Sequence, residues 1–275
     1  MPARSAIITV MERAARKAAP QLRRDFGEVI HLQVSQKGPA DFVSQADMKA
    51  EKTLCDELQK ARPDYGFLME EGGIIAGSTP DAPRWIIDPL DGTTNFLHSI
   101  PHFAISIALE AAGEIVAGVV YQPLTDETFW AEKGEGAWLH DRRLRVSARR
   151  SLKEAVFATG IPFSGHGDTA QFSAILGEVM PKVAGVRRFG SAALDLAWLA
   201  AGRYDGFWES ELQPWDMAAG VLMVREAGGF VTDYKGGSAM MDTGAVVAGN
   251  GYLHSHLHKL VVQGVKAARN ASPAD

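Results

Sequence analysis

The chain predicts a mixed α+β fold in which helices and a largely antiparallel sheet stack in layers rather than close into a barrel. Three observations carry this reading. Ile7, Met11, Ala14, Ala18, Leu22, Phe26 and Val29 recur at steps of three and four, the period of one helix face. Between Phe103 and Val146 the apolar residues fall into short strand-like runs broken by turn residues. Beyond Ala155 strands and helices alternate to the end of the chain.

The elements follow in order. The first helix carries Pro20 as an expected kink. A second is expected from about Ser44, a natural N-cap, to Ala61, where Arg62-Pro63 ends it. Tyr65 to Met69 reads as a short strand closed by Glu70-Glu71-Gly72-Gly73. Arg84 to Ile87 reads as a buried strand that Pro89 should stop. FAISIALE, EIVAGVVYQP, ETFWAEKG and GAWLHDRRLRV then form a meander of hairpins. In the remainder AVFATGI, YDGFWE, FVTDY and AVVAG are strands. DTAQFSAILGEVM, SAALDLAWLAAG and PWDMAAGVLMVREAGG are helices, the second closed by Gly202 and the third opened by Pro214 near N1. A final helix runs to about Ala268, before a frayed ASPAD tail.

At 275 residues the chain makes about two domains, or one large one. The arginine-rich stretch Arg142 to Arg150 marks the expected boundary, giving halves of 1–148 and 149–275. An apolar fraction of 46% with 22% charged residues excludes wholesale disorder. A net charge of −5 argues against a dedicated nucleic-acid binder. The single cysteine, Cys55, excludes an internal disulfide and a cysteine-based zinc site. The uncharged stretch Gly92 to Leu109 holds Thr, Asn, two His and Pro, so it is no membrane span. The first residues lack the apolar core of a secretory signal, and the expectation is a reduced, soluble, cytoplasmic protein.

The densest chemistry is Asp88-Pro-Leu-Asp91-Gly-Thr-Thr-Asn95 at the exit of the buried strand. Paired carboxylates on a rigid strand end suit a hard cation such as Mg²⁺, which takes few carboxylates plus water and phosphate oxygens. Gly92 permits a tight turn, and the amides after it could face an anion. The spacing fits neither an EF-hand nor a D-x-D-G-T phosphotransfer motif. An Asp-rich turn that merely caps a helix stays open from the motif alone. Glu70-Glu71 could add ligands or be a solvated acidic turn. Asp216 could be a ligand or a first-turn dipole partner, and Ser44-x-x-Asp47 has the form of a capping box.

Other patterns read as structure. Gly165-His-Gly-Asp-Thr-Ala170 fits G-x-G-x-x-A but lacks a strand-to-turn junction, so Asp168 is expected to cap the helix. His254, His256 and His258 read as a solvated helix face, and Cys55 as a small core residue.

Taken together, Asp41-Phe-Val-Ser-Gln-Ala-Asp47, Met69-Glu70-Glu71, Asp88-Pro-Leu-Asp91-Gly-Thr-Thr-Asn95 and Trp215-Asp216-Met-Ala-Ala-Gly220 resemble the inositol monophosphatase family of Mg²⁺-dependent, lithium-sensitive sugar phosphatases. The likeness covers about Ala6 to Ala268. Arg188-Phe-Gly-Ser-Ala-Ala-Leu-Asp-Leu-Ala through Glu209 looks especially like bacterial members. The resemblance implies a layered α-β-α-β-α fold, usually a homodimer, and two or three Mg²⁺ per active site. It implies metal ligands Glu70, Asp88, the Leu90 carbonyl, Asp91 and Asp216. Thr93 and Asp47 match the pair that orients and deprotonates the attacking water, with Glu70 beside them in the catalytic set. Gly92 and Thr93 match the phosphate cradle. Gly190, Ser191, Ala192 and Glu209 match positions lining a polyol pocket, where Glu209 accepts hydroxyl hydrogen bonds. Lys37 matches a nearby lysine. Met69 stands where Gly is usual, Ser44 for Thr, Phe42 for Leu, and Ser191 for Thr in some members.

The implied activity is hydrolysis of inositol monophosphate, or a related polyol phosphate, by two-metal-assisted attack of water. Alternatives on the same fold are histidinol-phosphate, fructose-1,6-bisphosphate and 3′-phosphonucleotide phosphatases, and Thr94 speaks against the last. A regulatory protein or nucleic-acid partner of the same scaffold stays open as a different class of function.

Overall fold

The computed structural model describes residues 4–28, 34–38, 41–163 and 165–271. Its first half runs α1 (Ala6–Gly27), β1 (Val34–Gly38), β2 (Asp41–Ser44), α2 (Gln45–Ala61), β3 (Gly66–Met69), β4 (Gly73–Ile75), β5 (Arg84–Asp91), α3 (Thr93–Leu97) and β6 (Ala104–Ala111). The meander continues with β7 (Glu114–Gln122), β8 (Glu127–Glu132), β9 (Gly136–Leu139) and β10 (Arg142–Arg143). There follow β11 (Val156–Thr159), α4 (Thr169–Val179), β12 (Gly185–Arg187), α5 (Ala192–Ala200), β13 (Gly206–Glu209) and α6 (Pro214–Glu226). The chain closes with β14 (Phe230–Thr232), α7 (Met240–Thr243), β15 (Val246–Gly249) and α8 (His254–Ala271).

Two sheets organise these elements. The larger has the order β10-β9-β8-β7-β6-β5-β3-β4, antiparallel except where β3 and β5 run parallel. The smaller has the order β12-β11-β13-β15-β14, with β11 parallel to both its neighbours. Helices α1 and α2 cover the outer face of the large sheet, α5 and α6 fill the space between the sheets, and α4 with α8 cover the far face of the small one. The result is the expected α-β-α-β-α stack.

Side-chain alternation explains how β5 serves two layers at once. Trp85 and Ile87 enter the core shared with α1 and α2, while Ile86 enters the core shared with α5 and α6. By the same period Asp88 falls on the face of Ile86. Pro89 does not end the strand, contrary to expectation. β5 continues to Asp91, and its register with β6 shifts between Asp88 and Asp91, so the proline occupies an irregularity where no ladder N–H is needed.

Other boundaries hold or move slightly. The Ser5 hydroxyl caps α1 by accepting from Ile8 N at 3.2 Å, and Pro20 lies inside the helix, which runs on past it. Arg62-Pro63 ends α2 as anticipated, and Asp168 caps α4 by accepting from Gln171 N at 2.8 Å. The helix α5 has Ala201 as its C-cap, followed by Gly202 in the left-handed region. The last helix reaches Ala271, three residues further than anticipated, and the tail 272–275 lies outside the described residues. Val29 lies outside them too, while Lys37, Phe42 and Ser44 fall where only the backbone is described. The hairpin β1–β2, the edge strands β4 and β12 and the short helix α7 have no counterpart in the sequence reading. The histidine face is only partly solvated: the His254 ring packs beside Phe230 and lies 3.1 Å from the Thr232 hydroxyl, while His256 is exposed.

Candidate metal centre and its cavity

The strand β5 delivers two carboxylates to the layer between the sheets, and the first turn of α6 delivers a third. Asp88, Asp91 and Asp216 each place an oxygen within 4.8 Å of the other two. Each is held by its own local structure. Asp88 Oδ1 accepts from Leu90 N at 2.8 Å, so the bend after Pro89 orients it. Asp216 Oδ2 accepts from Gln213 N at 2.7 Å, an N-terminal capping contact that fixes the carboxylate to its own helix start. Asp91 Oδ2 takes the Ser191 hydroxyl at 2.5 Å and Ala193 N at 2.8 Å. The opening turn of α5 thus sets the angle of a carboxylate carried by the other sheet.

The electrostatics of this cluster ask for a cation. Burial pushes Asp88 well above the usual carboxylate range, and the neighbouring charges of Glu70, Asp91 and Asp216 push it further. Asp216 is raised well above that range by withdrawal from water and by Asp91 and Glu70. Asp91 is raised by burial, against which the hydrogen bonds from Ser191 and Ala193 work. All the donors are oxygen, the ligand type of a hard divalent ion, and a bound cation would relieve the repulsion that raises all three. Glu70 lies outside the tight group of three but lines the same cavity, and the neighbouring Glu71 N donates to Glu51 Oε2 at 2.9 Å.

Thr93 and Asp47 meet at the rim. The Thr93 hydroxyl lies 3.1 Å from Asp47 Oδ1 and 3.1 Å from the Leu90 carbonyl, two acceptors for one proton. Asp47 itself is fully buried in the first turn of α2. Gly92 adopts φ +98°, and a Cβ there would lie 3.1 Å from the carbonyl oxygens of both Gly190 and His102, so two constraints call for glycine. The buried Asn95 amide donates to the carbonyls of His102 at 2.8 Å and Phe189 at 2.7 Å, and reaches that of Gly190 at 3.3 Å. Asn95 therefore pins the loop leading to Ser191 against α3, a job that the motif alone does not reveal.

Of the positions expected to line a polyol pocket, Glu209 faces the cavity. Ser191 and Ala192 are buried, and Ser191 directs its hydroxyl at Asp91. Burial and the charges of Asp195 and Asp91 push the Glu209 carboxyl up to about 8, against the pull of Arg188. Its carboxylate lies directly over Gly160: a Cβ at that position would come within 1.7 Å of Glu209 Oε1. Behind Asp91 sit His102 and Asp195, 3.4 Å apart. Burial drives His102 down to about 4, so an uncharged imidazole backs the cluster at neutral pH, and burial with the charge of Asp91 pushes Asp195 well above the usual carboxylate range.

A cavity of about 390 Å³ opens beside the cluster and is lined by Glu70, Asp216 and Glu209. It lies at the carboxyl ends of the parallel strands β11 and β13, the usual crevice for ligands in sheets of this kind. Glu70, Asp216 and Glu209 stand at one end, with Thr159 and Gly160 in the wall. The sequence reading missed Gly160, and no motif marks it. Its role follows from register, since Thr159 pairs with Trp208 and places the next residue beside Glu209.

A layered α-β-α-β-α frame with an all-oxygen donor set beside a cavity is the arrangement of a metal-dependent phosphoric monoester hydrolase. The chain belongs to the inositol monophosphatase family, whose sequence profile matches residues 3–267. It is 59% identical over 259 residues to the inositol-1-monophosphatase of Rhizobium meliloti (strain 1021), covering 94% of this chain and 97% of that protein. It is 46% identical over 244 residues to the Nus factor SuhB of Escherichia coli (strain K12), covering 89% and 91%. Among solved structures, the extragenic suppressor protein suhB of Bartonella henselae superposes with a TM-score of 0.91 at 59% identity, covering 94% of this chain and all of that one. A Thermotoga maritima IMPase superposes with 0.84 at 36% identity, covering 93% and 96%. No helix among the described residues is long and apolar enough to cross a membrane.

Proposed function

We propose that the chain hydrolyses myo-inositol 1-phosphate, or a closely related polyol phosphate, to the free alcohol and inorganic phosphate. The observation that carries this is the convergence of Asp88, Asp91 and Asp216 within 4.8 Å, with Asp216 lining a cavity whose wall also bears Glu70 and Glu209. The 59% identity to an inositol-1-monophosphatase supports the choice of substrate.

Glu70, Asp88, the Leu90 carbonyl, Asp91 and Asp216 would hold two or three Mg²⁺. When bound, these ions supply Lewis-acid activation of water and charge neutralisation at the leaving oxygen. The chain's own residues do the rest. Asp47 and Thr93 take up and orient the proton of the attacking water through their shared hydrogen bond, with Glu70 beside them. The Gly92 and Thr93 amides face the phosphate. Gly190, Ser191 and Ala192 form the wall on the alcohol side, where Glu209 bonds the hydroxyls and so fixes the leaving group for in-line displacement. Lithium sensitivity, a homodimer, a cytoplasmic location and a division into halves at 148/149 belong to the same proposal.

The test is phosphate release, in Mg²⁺ with and without Li⁺, from inositol 1-phosphate, histidinol phosphate, fructose 1,6-bisphosphate and a 3′-phosphonucleotide. Preferential turnover of the first supports the reading, and a flat panel or silence on inositol 1-phosphate sinks it. The 46% identity to a Nus factor favours a second, non-catalytic role as a regulatory partner of protein or RNA. Affinity capture at physiological salt, with and without Mg²⁺, tests it, and recovery of no specific partner removes it.

A further inference from the structure

The cavity does not stop at Glu209. At about 390 Å³ it falls in the range that holds a drug-sized ligand rather than a bare six-carbon polyol. Beyond Thr159 and Gly160 it passes over the end of the small sheet to the layer of α4 and α8. There its wall changes character to Phe163, His166, Phe172, Ile175, Trp208 and Tyr234. Two of these are firmly set: Ile175 and Trp208 are each 1% exposed and belong to the core between β13, α4 and α8. Phe163 is 46% exposed, its ring lies 4.8 Å from that of His166, and the two residues exchange two backbone hydrogen bonds.

We propose that this second lobe binds a flat apolar ring carried by the alcohol of the substrate. A phosphorylated polyol with a ring substituent is then a further substrate, favoured over its own unsubstituted parent by the contacts the ring adds. Aromatic side chains on several sides favour a ring over a flexible alkyl chain, because offset and edge contacts reward a rigid flat partner. Continuity with the end that bears Asp216 and Glu209 sets the order along the ligand: phosphate toward the aspartate cluster, hydroxyls at Glu209, ring at Phe163 and Phe172. The inference rests on the proposed phosphatase reading for its first two positions only.

The experiment compares glycerol 2-phosphate with its 1-O-phenyl and 1-O-butyl ethers, using the full chain in Mg²⁺. The phenyl ether should exceed the parent about tenfold in kcat/KM, equivalent to roughly 55 Å² of ring surface leaving water. Phe172→Ala and Phe163→Ala should each bring that ratio toward one while turnover of glycerol 2-phosphate stays unchanged. Circular dichroism melts confirm that both variants fold, and the exposed Phe163 tolerates truncation in any case. A ratio near one in the unmodified chain, an equal gain from the butyl ether, or a ratio indifferent to both substitutions overturns the proposal. If neither ester is hydrolysed, the phosphatase reading fails separately. Calorimetry with 3-phenoxypropane-1,2-diol against glycerol, in Mg²⁺ and inorganic phosphate, then decides the ring site: tighter binding of the phenoxy diol that Phe172→Ala abolishes supports it, and equal binding refutes it.

Discussion

Gly160→Ala isolates the alcohol-binding group from the metal centre. A methyl at this position would lie 1.7 Å from Glu209 Oε1, 2.0 Å from its Cδ and 2.6 Å from Oε2. Contacts under 3.0 Å are essentially never seen for a real Cβ, so the carboxyl must withdraw by more than an ångström. Gly160 is not in the left-handed region, so alanine fits its backbone and the effect is one of space alone. Withdrawal breaks hydrogen bonds between Glu209 and substrate hydroxyls, each worth about 1.5–3 kcal/mol once the carboxyl is ionised, in an assay run above its value of about 8. That predicts a fall in kcat/KM for inositol 1-phosphate of roughly 10- to 150-fold, carried largely by KM. The Mg²⁺ concentration for half-maximal activity should stay within about twofold, since Asp88, Asp91 and Asp216 are untouched. Steady-state phosphate release reads both quantities, with methyl phosphate as a control that has no hydroxyls to lose. An unchanged KM for inositol 1-phosphate, or an equal loss on methyl phosphate, would refute the assignment of Glu209 to the alcohol.

Ser191→Ala removes the 2.5 Å partner of Asp91 and leaves only Ala193 N, so Mg²⁺ affinity measured by calorimetry should fall about tenfold, with Ser191→Thr restoring it. Wild-type affinity in the alanine variant would show that Asp91 needs no such support. The pH dependence has a definite sign. Asp88, Asp91, Asp216 and Glu209 all titrate above their ordinary range when folded, Glu209 at about 8, so the folded state holds the extra protons. Without metal, the stability they contribute is fully present below about pH 4 and is lost as pH rises toward 8. The difference in Tm between Mg²⁺- and EDTA-treated protein should therefore widen from pH 5.5 to pH 8, and a flat or narrowing difference would contradict it. Finally, Gly264→Ala puts a Cβ 2.4 Å from Ile175 Cα where α8 crosses α4, and urea unfolding should report a loss of about 1–3 kcal/mol. The Mg²⁺ concentration for half-maximal activity of the still-folded fraction should be unaltered, because neither helix carries a proposed metal ligand.

The three clustered aspartates were legible because chemistry and spacing coincide within short motifs. Asp88 and Asp91 leave one strand three residues apart, and Asp216 opens a helix behind Pro214. The meander was legible from period alone. What escaped depends on contacts distant in sequence. Nothing near Ser191 in the chain says that its hydroxyl turns to a carboxylate a hundred residues earlier. Gly160 acquires meaning only from the pairing of β11 with β13. The strand β5 was cut short because proline usually stops a ladder, yet a local shift of register lets the backbone pass through Pro89. β4 and β12 are three residues each, too short to show a period.

The centre is split between two regions of sequence, and that has a consequence for synthesis. Asp88 and Asp91 leave the ribosome about 125 residues before Asp216, an interval of roughly 6–25 s at ordinary elongation rates. Throughout that interval the early carboxylates lack Ser191, Ala193 and Asp216, the groups that orient Asp91 and complete the cluster. On the proposed reading, a nascent chain can therefore neither grip a cation firmly nor act on a phosphate ester until α6 has emerged. Chains broken off before that point would then be silent, because the centre comes into being only late in translation.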